Sequence, residues 1–109
     1  MQIPQDLDGC MLALDNYLSE EDREAIIAMS EDDLFDLHHT LGRWIRNNWG
    51  LWNDSRLFQY LKSLGFIHPD DMSQSIIVEY WNRKNKQPSQ LEADIAEYKA
   101  YWEKFNEPK

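Results

Sequence analysis

Two stretches of the chain carry side chains suited to chemistry. The first runs from His38 to Trp52. On a helix, His39, Arg43, Arg46 and Asn47 share one face, opposite a leucine stripe. Two guanidinium groups and an imidazole placed together hold a carboxylate or a phosphate, the guanidiniums by paired N–H donors. A structural alternative stands beside this anion site: Arg43 and Arg46 tie their helix to Asp70 and Asp71. Trp44, Trp49 and Trp52 interleave with these residues. Exposed Trp beside Arg makes a binding hot spot. Trp is also a large core residue whose indole N–H needs one acceptor, and on that reading Trp49 and Trp52 plug the core.

The second stretch is acidic. Between Glu20 and Asp36 stand eight carboxylates, Glu20, Glu21, Asp22, Glu24, Glu31, Asp32, Asp33 and Asp36, against the single Arg23, which accounts for −7 of the formal −9. Such a patch steers a basic partner and speeds encounter. The same acids also suit the positive ends of helices. Glu20, Glu21, Glu24, Glu31, Asp32 and Asp36 are the candidate partner-binding residues.

Other templates find no support. His38 and His39 are neighbours, so on a helix they point about 100° apart and do not chelate one ion together. The chain has no His-x-x-x-His, no Cys pair and no Glu-x-x-His, and the acid run lacks the spaced ligands and glycine of a calcium loop. Gly-x-Ser-x-Gly and glycine-rich phosphate loops are missing as well. The sequence therefore predicts no catalytic residues, no metal and no cofactor.

The elements that must position these residues are helical. Ser19 with Asp22, Ser30 with Asp33, and Ser89 with Glu92 read as capping boxes that start helices. A first helix over about residues 6–18 carries Leu7, Cys10, Met11, Leu14, Tyr17 and Leu18 on one stripe, which makes Cys10 a core residue. A second covers about 19–29 and a third about 30–48, with Leu34, Leu37, Leu41 and Ile45 facing one way. Gly42 interrupts the third at a cost of about 1 kcal/mol against Ala, which close approach of a neighbouring helix or a Trp ring would offset. Asn53 or Asp54 caps a fourth helix that Gly65 closes, and Gly50 suits the turn before it. Pro69 with Asp70 and Asp71 opens a fifth, to about residue 85, apolar around much of its circumference and so the most buried. A last helix bears the seam Leu91, Ile95, Tyr98, Trp102 and Phe105. The expectation is an all-α single domain over 1–109 of about six helices, with the last, about 90–105, as a candidate appended element.

Composition narrows the function classes. With 109 residues, 42% hydrophobic and five Trp, the chain builds one core and is no disordered acidic tail. Nucleic acids and anionic membranes draw on Lys and Arg, so a net charge of −9 argues against both and favours a basic protein partner. One Cys forms no internal disulfide, and Met1 to Asp6 shows no basic-then-apolar leader, so a cytoplasmic address is expected.

Arg46-Asn47-Asn48-Trp49-Gly50-Leu51-Trp52, followed by His68-Pro69-Asp70-Asp71-Met72-Ser73, resembles a small bacterial helical family known as a domain of unknown function. The resemblance covers about residues 4–86 and implies a compact helical fold. In type, such small acidic helical proteins are similar to toxin-immunity proteins. The expected function is a non-catalytic protein-binding domain of the immunity type, which binds and neutralises a partner toxin. The alternatives are a regulatory or adaptor module, or an anion-binding protein or enzyme using the His39, Arg43, Arg46 and Asn47 face.

Overall fold

A computed structural model describes residues 2–106. Within them the chain forms six α-helices: α1 (Leu7–Tyr17), α2 (Glu20–Ala28), α3 (Arg43–Asn48), α4 (Arg56–Leu64), α5 (Pro69–Lys84) and α6 (Leu91–Asn106). A 3₁₀ segment (Glu31–Leu37) and one π turn (His38–Gly42) lead into α3. The described residues hold no strand, and none of their helices is long and apolar enough to cross a membrane.

Short polar side chains set the helix starts, though not all of those expected. Ser19 Oγ accepts the Asp22 N–H at 3.1 Å, as its spacing predicts. Ser30 makes no capping bond. Ser89 bonds the Leu91 N–H at 3.2 Å, one residue short of a box with Glu92, while donating to the buried Glu79 carboxylate at 2.7 Å. It thereby pins the start of α6 to α5. The α4 cap is Ser55, not Asn53 or Asp54: its hydroxyl accepts from Phe58 N and donates to the Trp49 carbonyl. Asp6 caps α1 through Gly9 N, and the His68 ring caps α5 through Asp70 N.

The expected third helix is the element that departs most. It divides into 3₁₀, π and α pieces. Gly42 lies at the last π position, where a Cβ would meet Arg46 Nη1 at 3.0 Å and the Leu37 carbonyl at 3.3 Å, with Ser73 Oγ of α5 at 3.6 Å. The close approach that offsets this glycine's helix cost comes from a guanidinium and α5.

α5 is the central element, packed against α1, α2, α3, α6 and the irregular segment. Met72, Ile76, Ile77 and Tyr80 are buried in the core with Leu14, Leu34, Ile45, Trp49, Leu57 and Leu61. Each such apolar side chain contributes about 1.5–3 kcal/mol on full burial. Polar ties fix the register: Tyr80 Oη donates to Asp15 at 2.7 Å, and Trp81 Nε1 donates to the Met29 carbonyl at 3.0 Å. Cys10 is wholly buried, and burial pushes its thiol up to about 12, as befits a core residue. In contrast, α6 buries none of its described side chains completely. Its Leu91, Ile95, Tyr98 and Trp102 are half-buried, and Phe105, at the end of the expected seam, is 67% exposed. Gly65 ends α4 at φ +120°, and a Cβ there would meet Ile95 at 2.8 Å, so α6 rests on bare backbone.

Candidate functional site

The N-terminus of α5 organises the polar chemistry. Its first turn presents two adjacent carboxylates, and the structure gives them different surroundings. Asp70 faces Arg46. That guanidinium, 6% exposed, sits with Nε 3.4 Å from Asp70 Oδ1 and donates from Nη1 to Ser73 Oγ at 2.9 Å and from Nη2 to the His38 carbonyl at 3.1 Å. His38 Nδ1 lies 3.4 Å from Nη1, and its Nε2 lies 3.9 Å from Asp70. Burial and the adjacent Arg46 hold the His38 imidazole below its ordinary value. The cation is surrounded by acceptors and sealed from water, so the cluster is a structural junction between α3, the π turn and α5.

This arrangement takes the expected anion face apart. Arg46 turns into the protein, whereas His39, Arg43 and Asn47 are exposed. The π turn inserts a residue into the helical phase ahead of α3 and so takes His39 out of register with the three residues of α3, of which Arg46 is buried against α5. Of the proposed ties, Arg46 reaches Asp70. Arg43 forms no ion pair among the described residues. Trp49 is buried and touches Trp44 edge-on, with ring centroids 5.7 Å apart. Trp52 is 55% exposed and meets the His68 ring edge-on, so it does not plug the core. Gly50, at φ +68°, turns the chain between the two.

Asp71 faces the other way, into a groove of about 540 Å³. Its floor is His38, His68, Asp70, Asp71 and Gln74. Phe35 of the 3₁₀ segment forms one wall, and Glu97, Tyr98, Tyr101 and Trp102 of α6 form the other. Trp102 Nε1 donates to Asp71 Oδ2 at 2.7 Å, and the Trp102 ring stacks on His68 at a centroid distance of 5.3 Å. Burial raises the Asp71 carboxyl, opposed in part by the Trp102 hydrogen bond. Phe35 is 63% and Tyr101 53% exposed, so aromatic surface lines the mouth. The sequence signal for this site was faint. Trp102 and Tyr98 stood in the seam of the last helix, but Phe35, Gln74, Glu97 and Tyr101 carried no motif.

All eight carboxylates of the acid run are exposed, Glu20, Glu21, Glu24, Glu31, Asp32 and Asp36 among them. Six of the eight sit in first turns, Glu20, Glu21 and Asp22 in α2 and Glu31, Asp32 and Asp33 in the 3₁₀ segment, leaving Glu24 and Asp36 outside that explanation. Among the described residues none of the eight lies within ion-pairing distance of a cation. Arg23, the only base in the run, instead donates to the Asp15 and Leu18 carbonyls at the end of α1. The 3₁₀ half of the run borders the aromatic groove. Asp94 of α6 is raised by burial, then by the charges of Glu97 and Glu31, so the two walls share one negative field.

A family model described as Domain of unknown function (DUF6794) matches residues 3–84, which end with α5 and leave α6 outside. Neither a curated protein nor a solved structure matches the chain.

Proposed function

We propose, from the premise that the chain belongs to the DUF6794 family, that it is a non-catalytic protein-binding domain with a basic partner. Its finer role on this reading is that of an immunity-type antagonist, neutralising a toxin domain by covering it. The observation that carries the reading is the acid run: eight exposed carboxylates with no cation within ion-pairing distance among the described residues. A surface left with a concentrated negative field favours and accelerates encounter with a positive one. Exposed aromatics, Phe35 within the run and Tyr101 lining the same groove, supply the apolar contact area that holds a complex once formed.

The test is affinity capture from the native host with the full chain and with its Glu20→Lys, Glu21→Lys, Glu24→Lys variant, followed by expression of the captured protein. The expected result is a basic protein, retained at low salt, lost in the variant and lost as ionic strength rises. Expressed alone it should arrest growth, and co-expression with this chain should restore growth. A captured protein that is acidic, or whose binding ignores both salt and charge reversal, overturns the reading. A basic partner without toxicity removes only the immunity role.

A further inference from the structure

We infer that the groove between the 3₁₀ segment and α6 is a subsite for a single arginine side chain of the partner. This rests on the basic-partner reading and names the chemistry of its anchor. The groove is not a mere acidic cluster, because three independent features converge in it. First, Asp71 faces it without a cation within ion-pairing distance among the described residues, whereas its neighbour Asp70 is answered by Arg46. A partly buried carboxylate with one N–H donor, from Trp102, is well served by a cation that brings more. Second, Gln74 lines the same groove, and its Oε1 is buried with no hydrogen-bond partner among the described residues. A buried acceptor without a donor is costly, and a ligand with several N–H groups relieves it. Third, aromatic side chains line both walls, Phe35 on one side and Tyr98, Tyr101 and Trp102 on the other. A guanidinium stacks flat on aromatic rings while its edge donates in the plane.

Guanidinium fits this combination better than ammonium does. Asp71 and Gln74 stand three residues apart on α5, so their side chains share one face of the helix. A planar fork of five donors serves the Asp71 carboxylate with paired N–H groups, leaves others directed toward Gln74 and keeps its face on a ring, which a compact, strongly hydrated ammonium does not. Glu97 on α6 adds negative charge to the opposite wall.

The experiment titrates the full chain with N-acetyl-arginine amide and, separately, N-acetyl-lysine amide. It follows the indole N–H resonance of Trp102, identified with a Trp102→Phe variant. The expected result is saturable movement of the Trp102 resonance, with the arginine probe binding several-fold more tightly than the lysine probe. Asp71→Asn should weaken the arginine probe about tenfold, the loss of one charge-assisted contact. Because Asp71 lies in the first turn of α5, Tyr101→Ala serves as a second variant in an exposed wall residue and should also weaken binding. Equal affinity for the two probes, unchanged binding by both variants, or movement spread evenly over residues 20–36 would overturn the subsite. A deca-lysine peptide separates the two readings. If the peptide binds in a salt-dependent way while the arginine probe ignores the groove, the subsite falls and the basic-partner reading stands. If the peptide fails to bind at low salt, the broader reading falls.

Discussion

Asp70 and Asp71 are neighbours in the chain and opposites in circumstance. Asp70 belongs to a junction in which a buried guanidinium is directed at four acceptors: a carboxylate, a hydroxyl, a carbonyl and an imidazole. Asp71 belongs to an open groove, with one indole N–H and an unmatched amide oxygen nearby. The first cluster is complete within the chain, so its chemistry is used up in holding α3 to α5. The second is incomplete, which leaves it free to act on something else. Perturbed polar groups therefore sort by whether their demands are met internally, more than by residue type.

The largest effect that would test this contrast is Arg46→Ala. Its removal leaves the buried Ser73 hydroxyl and the His38 carbonyl without their donor, while the Asp70 side chain, 43% exposed, turns to water, and unfolding free energy should fall by about 1–3 kcal/mol. Denaturant titration reads it directly. Arg46→Lys should recover only part, because an ammonium does not span all four acceptors at once. A loss below about 0.5 kcal/mol, the usual range for an unremarkable surface change, would move Arg46 from the structural to the working side of the comparison.

Gly42→Ala probes the same junction more gently. Helix propensity favours Ala by about 1 kcal/mol. Against that, the new methyl would lie 3.0 Å from Arg46 Nη1 and 3.3 Å from a backbone carbonyl, and this guanidinium is anchored on all sides. Overpacking costs about 1–3 kcal/mol, so the net result should be a loss of about 1 kcal/mol, with a lower melting temperature. A gain would mean that the π turn relaxes freely and the junction is looser than its geometry indicates.

How much of this was legible in the sequence follows from the same physics. Local chemistry was readable. Pro69 with two acids opened α5, Gly65 and Gly50 adopted positive φ, Ser19 capped α2, and the stripe on α1 buried Cys10. Misreadings arose where a distant contact overruled local pattern. The expected helix over 30–48 divides into 3₁₀, π and α pieces where Arg46 bonds the His38 carbonyl eight residues back and Ser73 of α5, contacts that no i, i+4 count contains. The face assigned to His39, Arg43, Arg46 and Asn47 came apart for the same reason, because Arg46 is buried against α5 while the other three stay exposed. Trp52 looked like core because Trp usually is, yet the turn at Gly50 sends Trp49 inward and leaves Trp52 outside. The groove was the least legible feature. Its walls come from segments more than sixty residues apart, with Phe35 facing Tyr101 and Trp102.

Asp71→Asn tests the open side of the comparison, and its effect on stability should be small and pH-dependent. Burial raises the Asp71 carboxyl in the folded chain, so the neutral form is favoured there relative to the unfolded state. Below the unfolded value, about 3.9, both states are protonated and the group's full contribution to stability is present. That contribution is lost as pH rises through the higher folded value. Asn keeps the neutral form at every pH, so the variant should match the wild type in acid and melt slightly higher at neutral pH. A variant that is less stable at neutral pH would mean that Asp71 is answered internally, like Asp70, by its bond to Trp102.

The smallest structural effect is expected from reversing Glu20, Glu21 and Glu24 to Lys. Glu24 lies beyond the first turn of α2, and the capping bond there runs from the Asp22 N–H to Ser19, so the cap itself is untouched. The melting temperature should stay close to that of the wild type. Association with the basic partner is where the change should show. Charges at a rim act mainly on the rate of encounter, whereas contacts in a desolvated pocket act on dissociation. The triple reversal should therefore slow association at low salt and leave dissociation nearly unchanged, and added salt should bring the wild type toward the variant's rate. Tyr101→Ala should do the reverse, speeding dissociation with little change in association. Measured side by side against ionic strength, the two variants separate a field that gathers the partner from a groove that holds it. If both variants changed the same rate constant, the acid run and the groove would be one contact surface, and the distinction between rim and anchor would collapse.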